Sequence, residues 1–247
     1  MQLIRRLIAA CALTGAAMSA GADTPELPSS VLAYEQAVMS VGRDAAADRP
    51  ASLRAAALAE AVEAGGRGAA YLYGQIALLD GILAAGTGRM ADAEHSFEQA
   101  RSFGEEAVER EPTSEHYRVV ADSYMQLLRI KPMPYRIANA GRARRAADDA
   151  VRLDRRNPRA LIAAASYYGS TPAIAGGDLP RAGDYLDRAL PLTAGSKTLR
   201  FVCVMWQAII ADARSDTAGA RDWLRQARAL FPESAWYLDT RQEILGE

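Results

Sequence analysis

Residues able to do chemistry are few in this chain, and their spacing gathers none of them into a site. There are two histidines. His95 falls mid-helix beside Glu94, and His116 falls near a helix start after Pro112, so each reads as a surface or interhelix contact. No H-E-x-x-H, cysteine pair or G-x-S-x-G occurs. The adjacent carboxylates Glu105-Glu106 and Asp148-Asp149 fall in helical stretches, where neighbours point in different directions and make poor acid/base pairs. Gly65-Gly66-Arg67-Gly68 is glycine-rich, but no strand precedes it and no Lys-Ser/Thr follows. It reads as a helix break and not as a phosphate cradle. The chain is therefore read as non-enzymatic, with no catalytic, metal-ligating or cofactor-binding residue and no cofactor.

Cysteine usage agrees. Cys11 and Cys203 are the two cysteines. Residues 1–22 resemble a cleavable signal peptide: Arg5 and Arg6 give a positive start, Leu7 to Ala17 an apolar run, and Ala20-Gly21-Ala22 a cleavage site. Cys11 would leave with that segment. Cys203, in the apolar helical stretch FVCVMW, then has no internal disulfide partner and reads as a buried small hydrophobe. The expected compartment is the periplasm, with Asp23 as the mature N-terminus. The competing reading takes Ile8-Ala9-Ala10-Cys11 as a lipobox and Cys11 as a lipidated anchor. Beyond the signal, no stretch approaches the ~18 unbroken apolar residues that mark a transmembrane helix, so no transmembrane segment is expected in the mature chain.

The elements that would position a binding surface come next. At 50% hydrophobic and 24% charged, the 247 residues can build one sizeable core or a long helical array. Alanine is abundant and β-branched residues sparse, which favours an all-α fold. The formal net charge of −1 comes with no basic stripe, so nucleic acid is not an expected partner. One spacing recurs: a small residue, a second position four later, and alanine three beyond that. It appears as Ala93, Phe97, Ala100, then Ala143, Ala147, Ala150, then Ala182, Leu186, Ala189, then Ala220, Leu224, Ala227, the last followed by Pro232. These positions share one helix face. Before each such helix lies another, marked by Gly81 and Ala84, Ala121 and Tyr124, Ala165 and Tyr168, and Ala208 and Ala211.

This pattern resembles the tetratricopeptide repeat (TPR). The resemblance implies two antiparallel helices per repeat, stacked into a right-handed solenoid of about four degenerate repeats plus flanking helices. The small residues Ala121, Ala165, Ala182 and Ala208 become helix–helix contacts. Residues 23–66 form an N-terminal helical pair (29–41 and 50–64), residues 67–232 the TPR-like array, and residues 233–247 a polar C-terminal cap.

The repeat spacing exposes two irregularities. Twelve positions separate the marked small residue of the first helix from the first alanine of the second, as in Gly81 to Ala93 and Ala208 to Ala220. Ala121 to Ala143 is twenty-two, and Ala165 to Ala182 is seventeen. Insertions are expected in corresponding turns, 128–142 and 169–178, emerging side by side on one edge. Both combine proline stiffness with apolar groups, including Met133, Tyr135, Ile137 and Ile174. Arg129, Lys131, Arg136 and Arg142 in the first could steer an acidic partner or organic acid to an apolar site. Either the loops form a rim that binds, or they seal the core edge. The concave face is expected to present Gln75, Leu78, Ile82, Arg118, Asp122, Met125, Ile162, Ser166, Met205 and Ile209. That mostly apolar set suits a hydrophobic ligand or an amphipathic helix. The competing expectation is that flanking helices fill the groove.

A narrower resemblance rests on ARSFGEEAV at 100–108 and on YYGSTPAIAGGDLPRAGDYLDRAL, with Gly176, Gly177, Asp178 and Ala182 carrying most of it. This is similar to the T component associated with tripartite ATP-independent periplasmic (TRAP) transporters. That likeness implies a protein partner, a periplasmic solute-binding protein, and an accessory role in transport. The alternative function is a general scaffold for envelope assembly with no small ligand. A homo-oligomer stays open.

Overall fold

The computed structural model describes residues 27–42 and 48–246. Residues 1–22, expected as a signal peptide, lie outside the described residues, as do Cys11 and the expected mature N-terminus Asp23. Eleven α-helices and no strand are present among the described residues. They are α1 (Ser29–Ser40), α2 (Asp48–Ala64), α3 (Gly66–Gly86), α4 (Met90–Arg110), α5 (Ser114–Ile130), α6 (Met133–Leu153), α7 (Pro158–Ser170), α8 (Leu179–Ala189), α9 (Lys197–Ala213), α10 (Thr217–Leu230) and α11 (Ala235–Leu245). Short 3-10 turns cover Ala173–Ala175 and Leu190–Thr193.

Local chemistry sets many of the helix starts. Thr113 accepts from His116 N, Asn157 from Arg159 N and Ala160 N, Asp178 from Arg181 N, Ser196 from Leu199 N, and Asp216 from Gly219 N. Each satisfies a backbone N–H that the first turn leaves without a partner. Pro134, Pro158 and Pro180 stand in first turns, where a missing N–H costs nothing.

The hairpins are α3–α4, α5–α6, α7–α8 and α9–α10, each an extensive helix pair. First helices also touch successively, α3 on α5, α5 on α7, and α7 on α9. This is a TPR-like all-α stack. Every alanine of the four recurring triads is fully buried, as are Phe97, Ala121, Ala165 and Ala208. Small residues let backbones approach where paired helices meet. Gly81 is the sharpest case: a Cβ there would fall 2.4 Å from Phe97 Cε1. The glycine leaves the space that the phenylalanine ring of the partner helix fills.

The flanking helices do more than cap. α1 packs on α2, on α3 at one end of the array and on α9 at the other. Tyr34 donates to Asp80 of α3 (2.7 Å), and Glu35 pairs with Arg159 of α7 (3.4 Å). α11, expected as a polar cap, buries Trp236 and Tyr237, with the Trp236 ring edge-on to Phe201 at 5.6 Å. Its N-terminus meets the other end of the array: Ala235 N donates to Val41 O, and Trp236 shares a small cleft with Met39 and with Ile82 and Gly86 of α3. The array thus bends far enough for both ends to converge on α1.

Gly68–Gly86 of α3 is long and apolar enough to cross a membrane by length and composition. Two-thirds of it is buried inside the protein, and it forms the inner helix of the first hairpin.

Candidate functional site

The inserted residues take two different forms. Those at 128–142 make no long loop. α5 runs to Ile130, α6 starts at Met133, and only Lys131 and Pro132 separate them. The extra length is helix, because Pro132 stands at the N-cap and Pro134 in the first turn, where proline starts a helix and does not break one. Residues 171–178 do form an ordered projecting turn. Gly176 takes a left-handed φ of 95°, Gly177 N donates to Pro172 O (3.1 Å), and Asp178 N donates to Tyr168 O (2.9 Å). A Cβ on Gly177 would lie 1.7 Å from Thr171 O, so only glycine fits. Ile174 at its tip is fully exposed.

Exposed apolar side chains gather on the edge formed by these turns. Met90 opens α4, Met133 and Ile137 open α6, and Ile174 tips the turn before α8. They mark the first-to-second-helix turns of three successive hairpins. Ile137 is 75% exposed and Met133 58%. Lys131, expected as a steering charge, is neutralised by Glu94 and Glu98 of α4, both at 2.5 Å. Tyr135 is half-buried beneath that lysine, 5.6 Å from its ammonium. Arg136 is also half-buried.

The concave-face residues are brought together, but not as an open groove. Gln75, Leu78, Ile82, Arg118, Asp122, Met125, Ile162, Ser166 and Met205 are all buried, and Ile209 is half-buried. The expectation of a solvent-facing apolar surface is corrected on this point. The physical reason includes α1, which lies against α3 and α9 and reaches α7 through Glu35–Arg159. Of the apolar residues expected to form the partner surface, Met133, Ile137 and Ile174 are exposed, and the others are buried or half-buried.

The interior is more polar than the repeat pattern suggests. On α5, Glu115, Arg118, Asp122, Gln126 and Arg129 recur at helical spacing, and all are buried. Arg118 donates to Gln75 Oε1 (2.7 Å), Glu115 Oε2 (2.8 Å) and Asp122 Oδ2 (3.2 Å). Glu115 also accepts from Tyr71 OH (2.9 Å) and Asn157 Nδ2 (2.7 Å). Burial pushes the Glu115 carboxyl up, but Arg118, Arg159 and the Asn157 hydrogen bond outweigh it and hold the group below its ordinary value. Asp122 is the opposite case. Burial outweighs the pull of Arg118, and its carboxyl is pushed up to about 7. A buried ion pair of this kind fixes geometry more surely than it adds stability. The row of charges at three- and four-residue spacing was the sequence signal for this network. Glu115 and Gln126 went unassigned because a polar helix stripe normally faces water, and Arg129, expected as a steering charge of the 128–142 turn, is buried instead.

The remaining candidates are inert or open. His116 is buried, with Nδ1 2.6 Å from Glu111 O and its ring 5.1 Å from Tyr71, an interhelix contact. His95 is exposed. Cys203 is fully buried, and burial pushes its thiol up to about 12. No group of three potential metal ligands exists among the described residues. A surface groove of about 390 Å³ lies between α4 and α6, with Tyr117, Tyr124, Arg142 and Arg145 along it.

No protein-family profile matches the chain, so none supports the T-component resemblance, and no curated protein matches it either. Among solved structures, the chain is similar to a thermophilic TPR protein of Thermus thermophilus. The two share 18% identity over 78% of this chain and 97% of that one, with a TM-score of 0.49. The four helix hairpins and their stacking define the fold.

Proposed function

We propose that this chain is a non-enzymatic docking protein of the bacterial envelope that recognises a protein partner along the edge carrying Met133, Ile137 and Ile174. One observation carries the reading: Ile174 is fully exposed at the tip of a turn that Gly176, Gly177 and two backbone hydrogen bonds hold in one conformation. An exposed isoleucine on a pre-ordered backbone binds without the entropy cost of ordering a floppy loop. Met133 and Ile137, at the corresponding turn of the preceding repeat, extend the apolar surface. The periplasmic address rests on the signal-like residues 1–22. An accessory role beside a TRAP-type solute-binding protein rests on the Gly176-Gly177-Asp178 resemblance, and a general assembly scaffold is the alternative.

The test is photocrosslinking in the native host. A benzophenone amino acid at position 174 or 137 should trap one discrete adduct, and the same probe at exposed Val62, on α2, should not. Ile174→Asp and Ile137→Asp together should abolish the adduct without changing the melting temperature. Equal labelling from position 62, or an adduct that survives the double substitution, would sink the edge reading. Cell fractionation of the same strains decides the periplasmic address.

A further inference from the structure

The interior around α5 is rich in unmatched hydrogen-bond donors. Six buried amide and guanidinium nitrogens lack a partner among the described residues: Gln75 Nε2, Arg118 Nε, Gln126 Nε2, Arg129 Nε and Nη2, and Arg159 Nη1. Half of them belong to two neighbours on α5, Gln126 and Arg129. Gln126 is fully buried and Arg129 is 8% exposed. Arg118 and Arg159 have carboxylates, Glu115 with Asp122 and Glu35 respectively. Arg129 has none among the described residues. Its contacts are Gln126 Oε1 at 3.4 Å and the ring of Trp206, 5.7 Å from the guanidinium carbon. That second contact reaches from α5 to α9 across the inner side, since α7 packs between those helices. The guanidinium therefore sits in the solenoid interior and not on its rim.

A buried guanidinium without a counter-charge is costly, and arginine cannot shed its proton to escape. An anion that accepts from Nε and Nη2 removes the penalty, and the Arg fork matches the two oxygens of a carboxylate. Gln126 Nε2 adds a neutral donor beside it. The side chains on the same inner faces, Met125, Ile162 and Met205, are buried and apolar. We propose that Arg129 and Gln126 form an internal anion site that takes the carboxylate of a small apolar acid, with Trp206 flanking the guanidinium. This site is separate from the edge that docks a protein.

The probe is hexanoate, with hexanol as the uncharged control, titrated into the full chain by calorimetry and by Trp fluorescence. Hexanoate should bind, change the emission and raise the melting temperature, and hexanol should bind about tenfold more weakly or worse. Arg129→Met should lose hexanoate binding by about tenfold or more and leave hexanol unaffected. Without ligand it should melt no lower than the parent, because the unpaired charge is gone. Arg129→Lys keeps the charge and loses the fork, and it should weaken hexanoate while remaining folded. Absence of any hexanoate response in the parent chain, or equal affinity in a folded Arg129→Met or Arg129→Lys protein, overturns the site. So does a parent chain that takes hexanol as tightly as hexanoate.

Discussion

Gly81→Ala tests the way the hairpins are built, because two effects of opposite sign meet at one atom. Gly81 lies inside α3, and replacing an interior helix glycine by alanine normally stabilises by roughly 0.5–1 kcal/mol. Here the added Cβ would stand 2.4 Å from Phe97 Cε1 and 2.5 Å from Cδ1. Carbon atoms rest at about 3.5–4.0 Å, so the overlap exceeds an ångström. The ring cannot swing into solvent, since Phe97 is fully buried. Overpacking of a tight core costs about 1–3 kcal/mol. The clash wins, and the variant should lose about 1 kcal/mol net by these figures. Phe97→Leu frees the space, so the double variant should be more stable than the sum of the two singles implies, by about 0.5–3 kcal/mol. Urea denaturation followed by far-ultraviolet circular dichroism, with the slope checked for constancy, measures all four corners of the cycle. A gain of stability in Gly81→Ala, or strict additivity with Phe97→Leu, would refute the assigned register of the two helices.

Two further outcomes are expected. Gly177→Ala places a Cβ 1.7 Å from Thr171 O, which must open the turn and break the Gly177–Pro172 and Asp178–Tyr168 hydrogen bonds. That should cost about 2 kcal/mol at about 1 kcal/mol per bond and create a protease-sensitive site within 171–178. Unchanged stability and protease resistance would show that the turn is not built as described. Asp122, pushed up to about 7 in the folded protein, titrates near ~3.9 when unfolded. Between those values the native state holds a proton that the unfolded chain has lost. The stability due to protonated Asp122 is therefore complete below the unfolded value and is lost as pH rises through 7, with a slope of up to ~1.4 kcal/mol per pH unit. Asp122→Asn should remove that slope, and denaturation at about pH 5 and about pH 8 measures it. A parent-minus-variant difference that stays flat across the interval contradicts the assignment.

Local pattern was enough for some of this architecture. Alanine triads at i, i+4 and i+7 mark the buried face of each second helix, because helical geometry alone brings those positions to one stripe. Gly81 opposite Phe97 could be paired from repeat phase, and Asp178 with Pro180 marks a helix start by capping chemistry. The stiff turn at 171–178 was legible for the same reason: Pro172 and Gly176-Gly177 constrain the backbone they belong to. Other features depended on tertiary structure. Pro132 and Pro134 look alike as loop or as helix-start residues, and only the packing of this turn over Glu94 and Glu98 shows that the extra length is helix. The concave face reads as an apolar groove until the curvature of the stack is known. Curvature accumulates from small rotations between repeats, which no local spacing encodes. It brings α3, α9 and α11 together around α1, buries Arg118 and Asp122, and carries Arg129 of α5 to Trp206 of α9. A charged stripe on a helix is ordinarily a surface, and it became an interior here because the solenoid bent over it.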